Sequence, residues 1–90
     1  MTNKEIKEAL LTEGTKFKVD GLFGDRTFHV VRFSNAGRPE DGLSIHEVDG
    51  YKASNIERIT NNAISCYAFS VFGKKVVDRI SFDRITIVHE

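Results

Sequence analysis

Ala63-Ile64-Ser65-Cys66-Tyr67-Ala68-Phe69-Ser70-Val71-Phe72, followed by Gly73-Lys74-Lys75 and then by Val76-Val77-Asp78-Arg79-Ile80-Ser81-Phe82, is the stretch that decides the fold. The first run is apolar and rich in β-branched and aromatic residues, which suit a pleated, half-buried surface. Gly73-Lys74-Lys75 has the composition of a tight turn, and the second run resumes β-branched residues. Two antiparallel strands joined by a hairpin follow from this. Arg84 to His89, with Ile85-Thr86-Ile87-Val88 at its centre, adds a terminal strand. Asp78-Arg79-Ile80-Ser81 and Asp83-Arg84-Ile85-Thr86 look alike at a five-residue offset. That offset is too short for a solenoid unit and reads as charged surface beside a buried Ile.

Moving toward the N-terminus, Leu43 to Val48 alternates, with Leu43 and Ile45 opposite Ser44 and His46, before Asp49-Gly50 ends it. Ser54-Asn55-Ile56-Glu57 has the form of a capping box. With Ile56 and Ile59 three apart, it predicts a short helix or single turn over 55–60. The competing reading is a strand with Ile56, Arg58 and Thr60 on one face. Ser34 to Gly42 is the longest loop, holding the one Pro and the acidic pair Glu40-Asp41. Thr27 to Phe33 and Lys16 to Val19 read as strands, separated by the turn signals Asp20-Gly21 and Gly24-Asp25. Thr2-Asn3-Lys4-Glu5 opens a helix with a capping box, and Ile6, Ala9 and Leu10 recur at helical spacing. That helix is expected from about Asn3 to Glu13, ahead of Gly14, and is too short to stand alone.

The fold expected is α+β, in a single domain over 1–90: an N-terminal helix on a twisted antiparallel sheet of five or six strands. This order of elements resembles SH3-like small barrels with an added N-terminal helix, which implies that the sheet curls into a partly open barrel. The expected core is Ile6, Leu10, Phe17, Val19, Phe28, Val30, Ile45, Ile64, Phe69, Ile80, Phe82, Ile85 and Ile87.

Ninety residues with thirteen basic and thirteen acidic side chains carry no net charge. The charges are spread evenly, so the basic excess that announces most nucleic-acid binders is missing. The longest uncharged stretch, Ile59 to Gly73, is too short and too polar for a membrane span. The charged start Lys4-Glu5-Ile6-Lys7-Glu8 does not resemble a signal peptide. A cytoplasmic protein is expected. Its small, self-contained chain resembles small phage or mobile-element accessory proteins, which implies the host cytoplasm if it is phage-encoded.

Chemistry-bearing motifs are scarce. Cys66 sits mid-strand among apolar neighbours, without the cation or helix N-terminus that activates a thiol. His29, His46 and His89 lie on three different strands and lack the close spacing of zinc ligands. Gly21-Leu22-Phe23-Gly24 is no dinucleotide fingerprint, and Gly73-Lys74-Lys75 is no phosphate loop. Asp78 and Asp83 adjoin Arg79 and Arg84, which suggests solvated salt bridges rather than paired-carboxylate catalysis. No catalytic residue, metal or cofactor is therefore expected.

The leading expectation is a non-enzymatic binding or regulatory protein acting through protein–protein contacts, self-association into a homodimer among them. Leu22 and Phe23, large and apolar between turn glycines, are the candidate partner-binding residues. The alternative is a nucleic-acid-binding module over 67–84. It would use Lys74, Lys75, Arg79 and Arg84 for charge and Tyr67 or Phe72 for stacking. A third expectation is a small-molecule pocket between helix and sheet.

Overall fold

The computed structural model describes residues 1–21, 26–35, 37–69, 73 and 75–89, with Phe69 and Lys75 described by their backbone only. Helix α1 (Asn3–Leu10) begins as its sequence dictates. Thr2 Oγ1 accepts from the Glu5 N–H at 3.2 Å, and Glu5 Oε1 accepts from the Thr2 N–H at 3.1 Å. The helix stops at Leu10, short of the expected Glu13. Gly14 follows with φ +89°, a conformation that suits glycine, and donates its N–H to the Val30 carbonyl. This bond turns the chain into the sheet.

Seven strands follow: β1 (Lys16–Val19), β2 (Arg26–Arg32), β3 (Leu43–Glu47), β4 (Ala53–Ile59), β5 (Ala63–Phe69), β6 (Lys75–Ser81) and β7 (Ile85–Val88). A single 3₁₀ turn, Phe82–Arg84, separates the last two. The sheet order is β6-β5-β4-β3-β2-β1-β7, antiparallel throughout. The last strand thus returns to pair with the first, and the sheet curls into a half-barrel with α1 against it.

Seven strands replace the expected five or six because 53–59 is a strand, not a helical turn. Ile56 pairs with Cys66 and Arg58 with Ser65, so Glu57 is an extra residue opposite the step between them. This β-bulge resets the alternation. Ile56 and Ile59, three apart, therefore both reach the core. The helix-like spacing is the signature of the bulge.

The Ser34–Gly42 loop folds over that bulge. Arg38 Nη2 donates to the Glu57 carbonyl at 3.0 Å, and Glu40 Oε2 accepts from the Ile59 N–H at 3.2 Å. Asp41 holds Arg38 in place through its backbone N–H at 2.7 Å and its guanidinium at 3.0 Å. The same contacts hold the Asp41 carboxyl below its ordinary range. Gly42, at φ +83°, closes the loop against the Ser34 carbonyl, where a Cβ would collide with backbone.

Ile6, Leu10, Phe17, Val19, Phe28, Val30, Ile45, Ile64, Phe82 and Ile85 are buried as expected. Ile80 and Ile87 are only partly buried against them. Leu43, Ile56, Ile59, Ala63 and Cys66 complete the core. Phe17 and Phe28, opposite one another on β1 and β2, stack with ring centroids 5.7 Å apart.

Candidate functional site: a cationic cleft along an open sheet edge

A half-barrel has two ends, and here they are β6 and β7. Strand β6 pairs with β5 along its whole length, and no described strand pairs with its other edge. Side chains alternate along a strand, so Val76 and Val77 point to opposite faces. Both stand in solvent, 41% and 51% exposed, and Asp78 and Arg79 are exposed after them. An edge strand wet on both faces presents a row of unpaired backbone donors and acceptors.

Beside it lies a cleft of about 660 Å³. Asp78, Arg79 and Ile80 of β6 line one side, while no described β5 residue does. Three consecutive residues span both faces of a strand, so the cleft opens along the outer edge of β6. The facing side comes from Val19, Asp20 and Gly21 at the end of β1, and from Arg26 and Phe28 of β2. Lys52, before β4, and Arg84, after β6, complete it. No α1 residue takes part. Two smaller clefts, of about 430 and 380 Å³, lie between the helix and the sheet.

Four cations against two carboxylates leave this cleft positively biased. Arg84 is anchored: its Nε donates to the Asp20 carbonyl at 2.8 Å, and the Asp20 N–H donates to the Arg84 carbonyl at 2.9 Å. Arg79 reaches Asn62 Oδ1 at 3.4 Å. The ion pairs expected of Asp78 and Asp83 with these arginines do not form. The ion pairs among the described residues join Arg38 to Glu40 and Asp41 instead. Arg26, Lys52, Arg79 and Arg84 thus line the cleft without a carboxylate partner among the described residues.

Of the residues singled out in the sequence, Arg79 and Arg84 meet in this cleft. Lys75 belongs to β6, with its side chain outside the description. Leu22, Phe23, Lys74 and Phe72 lie outside the described residues. Tyr67 stands opposite Val77 on β5 and does not line it. Arg26 and Lys52 carried no sequence signal, because nothing local marks a lone cation whose neighbours come from distant strands.

Cys66 is 4% exposed, and burial, reinforced by Asp78, pushes its thiol up to about 12. It is held protonated as a core residue. The His29 and His46 rings stack across β2 and β3 with centroids 5.9 Å apart, and Ser44 Oγ lies 2.9 Å from His46 Nε2. His89 follows β7 and is exposed. The described residues place no group of three or more His, Cys, Asp or Glu together for a metal ion. No described helix is long and apolar enough to cross a membrane. No family model, curated protein or solved structure matches this chain.

Proposed function

We propose that this protein is a small, non-enzymatic binding module that captures an extended protein segment along the open edge of β6. The observation that carries the reading is that edge itself. It has no described neighbour, exposes Val76 and Val77, and borders the cationic cleft. An extended peptide added to such an edge gains main-chain hydrogen bonds, while the adjoining surface selects its side chains. Leu22 and Phe23, large and apolar between turn glycines, are proposed to contact the same partner, and a second copy of this chain is one such partner. The SH3-like plan expected from the sequence is supported by the return of the last strand to the first. The balanced charge and single cysteine favour action in the cytoplasm, a host's if the chain is phage-encoded.

Selection of binders from a displayed random-peptide library, followed by amide chemical-shift mapping, tests the reading. The expected result is perturbation concentrated on 75–81 and on the cleft-facing residues 19–21 and 26–28. Val76→Lys and Val77→Lys should weaken binding with little change in thermal stability. Shifts confined to another surface would overturn it.

A nucleic-acid module is the second reading, favoured by the meeting of Arg79 and Arg84 with Arg26 and Lys52 in one cleft. Its affinity must then fall steeply with salt, since phosphate neutralisation supplies it. Fluorescence anisotropy with single-stranded DNA and RNA at low salt decides this, and no binding at tens of micromolar retires it.

A further inference from the structure

We infer that the segment captured along β6 is acidic, with Asp or Glu alternating with apolar residues. This rests on the strand-addition reading and adds the chemistry of the partner. Arg79 and Ile80 are consecutive, so they point to opposite faces of β6. A strand laid beside them continues the pleat, so alternate side chains turn toward the Ile80 face and the others toward the Arg79 face. Arg26 pairs with Val19 and stands two before Phe28, so it shares their face and sets a cation beside the buried apolar lining of the cleft.

The cleft's cations lack carboxylate partners among the described residues, and Arg84 is held in position by Asp20. A cation already positioned loses less side-chain freedom when an anion arrives. Asp20 and Asp78 set like charge against a uniformly anionic ligand, which favours acids at alternate positions over an unbroken run. The β6 edge, which no described strand pairs with, discriminates further. Peptide N–H and C=O groups complete its ladder, which a nucleic-acid strand does not do.

The experiment compares labelled eight-residue peptides alternating Val with Glu, with Gln or with Lys, and adds a single-stranded oligothymidylate, all by anisotropy at low salt. The Glu peptide is expected to bind roughly tenfold tighter than the Gln peptide, because several partly exposed ion pairs each add a modest factor. The Lys peptide should be the weakest. Arg26→Gln and Lys52→Gln should each lower Glu-peptide affinity a few-fold, leave the Gln peptide unaffected, and keep the unfolding temperature unchanged. Equal affinity for the Glu and Gln peptides, with shifts still on 75–81, would overturn the acidic preference and leave strand addition standing. No peptide bound at all would remove both, and an oligothymidylate bound in their place would assign the cleft to nucleic acid.

Discussion

Leu10→Ala tests whether the helix is part of the core or merely rests on it. Leu10 is 0% exposed, and with Ile6 it is one of two buried residues on an eight-residue helix. A helix this short is marginal by itself, so its attachment depends on those side chains and on Lys7 Nζ reaching Asn61 Oδ1 at 3.2 Å. Truncating Leu to Ala removes three carbons from the core, each worth about 0.8 kcal/mol. The cavity left behind raises the loss to about 3–5 kcal/mol where the surroundings cannot collapse. Stability in a chain of this size is of order 5–13 kcal/mol, so about a quarter or more of the margin is at stake. A melting temperature lower by about 12–40 °C follows. Urea denaturation followed by circular dichroism measures this, with Leu11→Ala, which is half-buried, as the comparison. Equal losses for the two variants, or a loss below about 1 kcal/mol for Leu10→Ala, would show that α1 does not seal the core.

Glu40→Ala should destabilise by about 1–3 kcal/mol, since it strips the Ile59 N–H of its acceptor, and hydrogen exchange should accelerate at that amide. Combined with Arg38→Ala the losses should not add, because both side chains hold one bulge; unchanged Ile59 exchange would refute the clamp. Cys66 should label slowly with thiol reagents in the folded state. Its folded thiol keeps its proton up to about 12, whereas an unperturbed one releases it near 9. The stability this confers is complete below pH 9 and is lost as pH rises toward 12, by about 1.4 kcal/mol per pH unit. Denaturation of wild type and Cys66→Ala at several alkaline pH values isolates that slope, and parallel curves would contradict it.

How far the fold was legible depends on how local each signal is. The start of α1 could be read because a capping box acts within four residues. Strands β1, β2, β3, β5, β6 and β7 could be read because alternation and β-branched runs are also local. Strand β4 could not be settled. Ile56 and Ile59 satisfy helical spacing, and only the pairing of Ile56 with Cys66 and Arg58 with Ser65 shows Glu57 to be an inserted residue. The loop that steadies this bulge was visible as a loop, but its grip on Glu57 and Ile59 joins residues nineteen apart.

The candidate site divides in the same way. Arg79 and Arg84 stood out as cations near a turn, and their expected partners Asp78 and Asp83 were adjacent in sequence. Asp78 and Arg79, adjacent on β6, point to opposite faces and are poorly placed to pair. Arg84 instead meets Asp20, 64 positions away. The sequence by itself determined a helix-plus-sheet chain with an apolar core and no net charge, because composition and short-range periodicity carry that information. The tertiary structure alone decided that the seventh strand returns to the first, that β6 has no described strand along its second edge, and that four cations meet beside it. Those features arise from the curl of the sheet, which sums small twists over seven strands and is written in no single stretch of residues.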